Sequence, residues 1–61
     1  MSDEEQKAAS EARAARYRAR AEELRVIAEG LRDREAISMI LATATDYERM
    51  ADALDRVGPG A

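Results

Sequence analysis

Ala14-Ala-Arg-Tyr17-Arg-Ala-Arg-Ala21-Glu-Glu-Leu24-Arg-Val-Ile-Ala28-Glu-Gly-Leu31 is the stretch whose reading decides the fold. Its apolar residues Ala14, Tyr17, Ala21, Leu24, Ala28 and Leu31 recur at intervals of 3, 4, 3, 4 and 3. After a break near Asp33 the same intervals return in Ile37, Ile40, Ala44, Tyr47, Ala51 and Leu54. Residues three and four apart share one face of a helix, and a sustained heptad lets two helices interlock at a crossing angle of roughly 20°. Folding the chain back about position 34 pairs Leu31 with Ile37, Ala28 with Ile40, Leu24 with Ala44, Ala21 with Tyr47, Tyr17 with Ala51, and Ala14 with Leu54. Five of these six layers match one alanine to one large residue, which keeps layer volume even while the backbones approach closely. Sliding by a heptad would set Tyr17 near Ala44 and Leu24 near Ile37, spoiling some of the match, so the register is the structural expectation most open to test.

The flanking residues mark the ends of the helices. Ser2 followed by Glu5 is a capping-box pattern, with the serine accepting from backbone N–H groups that the first turn leaves unpaired. Good helix formers dominate from Asp3 to about Leu31. Asp33 reads as a second N-cap, with Glu35 favoured by the helix dipole. Gly58-Pro59-Gly60 reads as a stop. The expected organisation is a single all-α domain over residues 1–61, an antiparallel two-helix hairpin resembling a coiled coil. Helix one is expected over 3–31, the turn over 32–33, helix two over 34–57 and a tail over 58–61. Arg18 is expected opposite Glu48, and Asp3–Lys7 and Asp52–Arg56 have the favourable acid-first i,i+4 order.

A chain of 61 residues that is 38 % charged, with Tyr17 and Tyr47 its only aromatics, buries too little apolar surface to be firmly stable alone. With neither cysteine nor histidine, disulfides and an ordinary zinc site are closed as remedies. A partner chain remains. Val26, Ile27, Met39, Leu41, Met50 and Val57 lie off the seam, and two helices cannot cover them all. Ile27, Leu41, Met50 and Val57 are the candidate interface residues of a homodimer, a four-helix bundle built by two-fold symmetry. Residues 3–13 overhang helix two. They read as a solvated extension, or as an arm whose Ala8, Ala12 and Ala15 pack on a partner.

The same composition removes most chemistry: there is no thiol nucleophile, no imidazole base, no Glu-x-x-His pair for a di-iron bundle and no glycine-rich phosphate loop. No cofactor, metal or catalytic residue is expected, and the chain is read as non-enzymatic. Ala36 to Thr45, the least polar stretch, is far below membrane-spanning length, and Met1-Ser-Asp-Glu-Glu-Gln has no secretory pattern, so the cytoplasm is the expected location. Net charge is −3 but sorted, with residues 1–12 acidic, 13–34 basic and 35–61 acidic. That order suits two helices that attract each other. It also permits a nucleic-acid face of Arg13, Arg16, Arg18, Arg20 and Arg25, although Glu22, Glu23 and Glu29 interrupt it. Glu48, Asp52 and Asp55 share a face, and three carboxylates so placed could hold a hard cation or work as acid and base; the same spacing recurs on many solvated helices, and nothing nearby supplies a pocket.

From Tyr17-Arg-Ala-Arg-Ala-Glu-Glu-Leu-Arg-Val-Ile-Ala-Glu, through the break at Asp33, to Ala44-Thr-Asp-Tyr-Glu-Arg-Met-Ala, the chain resembles short uncharacterised helical-hairpin proteins of rhizobia and related alphaproteobacteria. The resemblance spans about residues 17–54, and the chain departs from it in Gly30-Leu31 and in lacking a proline after Asp33. It implies a hairpin and transfers no catalytic residue. In architecture alone the expected fold is similar to the plasmid RNA-binding regulator Rop, a hairpin that dimerises into a four-helix bundle. Fold likeness of that kind is weak support for function.

Overall fold

A computed structural model describes residues 2–56. It is all-α: α1 spans Asp3–Glu29 and α2 spans Arg34–Arg56, and the two pack as an antiparallel hairpin 47 Å long, with no strand among the described residues. Val57 and the expected stop Gly58-Pro59-Gly60 lie outside the described residues.

Both N-termini are capped as the sequence reads. Ser2 Oγ accepts from the Glu5 N–H at 3.2 Å. Asp33 Oδ1 accepts from the Glu35 N–H at 3.1 Å, while the Asp33 carbonyl takes the first helical bond, from the Ile37 N–H at 3.0 Å. The end of α1 differs from expectation: the helix stops at Glu29, so the turn takes in residues 30–33. The Gly30 N–H bonds the Ile27 carbonyl and the Leu31 N–H the Ala28 carbonyl, both at 3.1 Å, a tightened last turn that unwinds the helix before Leu31. Gly30 itself sits at φ −88°, ψ −4°, a right-handed conformation open to any residue.

Packing follows the predicted seam. Ala14, Ala21, Ala28, Leu24, Ala44 and Ala51 are the buried residues, and the other seam positions are half-buried. Ala21, Leu24 and Ala44 form one cluster, with Ile40 and Tyr47 against it. The Tyr17 and Tyr47 rings lie 5.8 Å apart and tilted, a favourable aromatic separation. These contacts belong to the register that pairs Ala21 with Tyr47 and Leu24 with Ala44.

The buried set also sorts by heptad position. Ala14, Ala21, Ala28, Ile37, Ala44 and Ala51 hold the first position, and Tyr17, Leu24, Leu31, Ile40, Tyr47 and Leu54 the fourth. The two positions lean to opposite sides of the plane containing both helix axes. One edge of the hairpin is therefore lined almost wholly by alanine, which brings the backbones together. The other carries every large seam side chain except Ile37. No large side chain among the described residues is fully buried.

Candidate interaction face

The alanine edge is closed by charge. Arg18 of α1 reaches across to Asp52 at 3.3 Å and to Asp55. One heptad nearer the turn, Arg25 reaches Glu48 of α2, with Glu22 of its own helix at 3.4 Å. The expected Arg18–Glu48 pair is thus replaced by Arg18–Asp55 and Arg25–Glu48. Helical side chains lean toward their own N-terminus, so in an antiparallel hairpin an α1 residue leans away from the turn and an α2 residue toward it. Arg18 and Glu48, nearly level with each other, lean apart, whereas an arginine meets the carboxylate lying further from the turn. Arg18 is held above its ordinary pKa chiefly by its hydrogen bond to Asp55, opposed by desolvation and helped by Asp52. Arg25 is raised first by its hydrogen bond to Glu48, against desolvation, with Glu22 adding less. Within helices the ion pairs are Arg20–Glu23 and Arg25–Glu22, both i,i+3, rather than Asp3–Lys7 and Asp52–Arg56. Asp52 turns to Arg18 instead.

The opposite face is open and apolar. Tyr17, Met50, Ala53 and Leu54 line a shallow groove at its end far from the turn. Toward the turn it continues over the fourth-position residues Leu24, Leu31 and Ile40 and past Ile27, which is 46 % exposed; Met50 is 40 % exposed. Arg20 lies in mid-face, bonded to Glu23 at 2.9 Å. Its pKa is raised first by Glu23, with the Tyr47 hydroxyl adding a smaller effect.

Of the candidate interface residues, the structure brings Ile27 and Met50 to this face. It places Leu41 on the alanine edge, in a second groove with Arg25, Ala28, Glu29 and Ile37. Val57 lies outside the described residues. Of the five candidate nucleic-acid arginines, Arg18, Arg20 and Arg25 are bound to carboxylates. Among the described residues no carboxylate lies within 4 Å of Arg13 or Arg16. The carboxylates Glu48, Asp52 and Asp55 are those the arginines hold, and no cluster suited to a metal occurs among the described residues. No helix among them is long and apolar enough to cross a membrane. Residues 3–11 extend beyond Arg56, and all but the half-buried Ser10 are exposed. Missing from the sequence reading was the division of the seam into an alanine edge and a large-residue face, although the signal was there in the first and fourth heptad positions. No family model matches the chain, and no curated protein or solved structure matches it.

Proposed function

We propose that the chain is a non-enzymatic, self-associating interaction module whose binding surface is the large-residue face. The observation that carries this reading is the two-sidedness of the seam. Alanines and arginine–carboxylate pairs close most of one edge, which opens only near the turn, at Ile37 and Leu41. Tyr17, Ile27, Leu31, Ile40, Tyr47, Met50 and Leu54 stay partly exposed on the other. Full burial of a large apolar side chain contributes about 1.5–3 kcal/mol; five of these seven are more than half covered already and Ile27 and Met50 are 46 % and 40 % exposed, so completing the burial of all seven contributes at most roughly 4–8 kcal/mol per chain. Two chains together gain at most roughly 8–16 kcal/mol, of the same order as the approximately 4–15 kcal/mol that association costs in lost freedom. A four-helix bundle of two hairpins covers both faces at once.

Sedimentation equilibrium of the purified chain over a wide concentration range tests this. A dimer is expected, reduced to a helical monomer by Met50→Glu or Ile27→Glu. The same exchange at Leu41, on the alanine edge, should leave the dimer intact. A folded monomer throughout the range would remove self-association as the function of this face.

A further inference from the structure

Resting on that reading, we propose that Met50 is an oxidation-sensitive switch: a peroxide that reaches the separated hairpin converts its thioether to a sulfoxide, and the chain so marked no longer associates through its open face. Composition narrows the peroxide chemistry to few positions. The chain has no cysteine, no histidine and no tryptophan, and its only sulfur atoms are those of Met1, Met39 and Met50. Met1 lies outside the described residues. Met50 is exposed, and with Tyr17, Ala53 and Leu54 it lines the apolar groove at the end of the face far from the turn. Met39 is more exposed still and lies in neither groove described above.

In the single hairpin the Met50 side chain is open to a small oxidant, whereas any partner that covers the groove covers Met50. The argument depends on that covering alone, not on which way round the partner lies. The oxidant is hydrogen peroxide or another hydroperoxide. Its O–O bond breaks as one oxygen passes to sulfur, the sulfur gives up two electrons, and water or the alcohol leaves. A flexible apolar side chain becomes a polar one. On the separated hairpin the new oxygen faces water, so the fold is kept. Under a partner it is buried among Ala53, Leu54 and the Tyr17 ring, and a buried polar group short of hydrogen bonds weakens association about tenfold for each oxidised chain. Enzymatic reduction of the sulfoxide restores the thioether, which makes the mark reversible.

The experiment treats the full chain with hydrogen peroxide at a protein concentration low enough to populate the monomer. After the peroxide is removed, peptide mass spectrometry assigns the sulfoxides and sedimentation equilibrium gives Kd. Wild type, Met39→Leu and Met50→Leu are each compared with their own untreated form, leucine being the exchange for methionine that packing tolerates best. With oxygen on Met50 in both chains, Kd of wild type and of Met39→Leu should rise about a hundredfold while helical circular dichroism is unchanged. Met50→Leu should shift by less than about threefold. Should Met50→Leu itself fail to associate, Met39→Leu decides, its shift following the oxygen on Met50 in the mass spectrum. Four results overturn the switch and leave self-association standing: a dimer unmoved by the Met50 sulfoxide, an equal shift in Met50→Leu, helix lost on oxidation, or Met50 unconverted while Met39 is oxidised. A chain that is monomeric before any peroxide is added overturns both.

Discussion

Replacing Ala21 with leucine tests the register and the closeness of the helices in one step. Ala21 has no exposed surface and lies in the cluster with Leu24 and Ala44, against which Ile40 and Tyr47 pack. Leucine adds three carbons where the backbones approach over alanine. Overpacking of this kind costs about 1–3 kcal/mol. For a domain of this size each kcal/mol lowers Tm by roughly 4–8 °C, so a drop of roughly 4–24 °C is expected. The assay is helical circular dichroism on heating, at one fixed protein concentration because association also moves Tm. Ala19→Leu is the control. It makes the same chemical change at an exposed position of the same helix, and its effect should stay within about 0.5 kcal/mol. If the two variants melt together at the wild-type temperature, Ala21 does not sit between the helices and the paired layers derived from it fall.

Two further outcomes follow from the geometry. Gly30→Ala should raise Tm by roughly 2–8 °C, because the backbone there is right-handed and an added Cβ meets only the Ile27 carbonyl oxygen at 3.6 Å. At such a site alanine gains about 0.4–1 kcal/mol by narrowing the unfolded ensemble; a fall in Tm would mean the turn uses a conformation alanine cannot take. Arg18→Ala with Arg25→Ala should lower Tm at low salt, and the difference should vanish near 1 M salt, where screening acts within about 3 Å. A loss that persisted at high salt would point to packing by the arginine stems rather than to charge.

How much of this was legible in the residues depends on what each inference required. Seam, register and caps rest on local pattern: the 3-4 spacing, the alternation of alanine with large residues, Ser2 and Asp33. Seam and caps are fixed by helix geometry whatever the rest of the chain does, the register also by the turn between the helices, and the structure bears out these elements. The ion-pair partners needed a direction as well as a position. Arg18 and Glu48 are close in projection, yet the tilt of Cβ toward each N-terminus sends them apart. The early end of α1 needed the hydrogen bonds of Gly30 and Leu31, which spacing does not encode, since Leu31 continues the apolar rhythm after the helix has ended. The grouping of Leu41 with Ile27 and Met50 leaves open on which edge of the hairpin Leu41 falls, and the structure sets it beside Ile37 and Ala28.

That last distinction connects the fold to its use. An alanine seam lets two helices approach closely, but alanine brings little apolar surface into the contact, so the hairpin gains little by closing that edge. The large residues needed for further stability are set on the other side of the same seam, where one hairpin cannot cover them. A sequence with leucine at the first heptad positions would hold the helices further apart and bury more of its own surface, leaving less for a partner. Here the small residues do the reverse: Ala14, Ala21, Ala44 and Ala51 draw the helices together until Tyr17, Tyr47, Ile40 and Leu54 stand out along one face. Closing the hairpin and presenting the face are therefore one event, and a substitution that separates the helices should weaken association even when it touches no residue of the face.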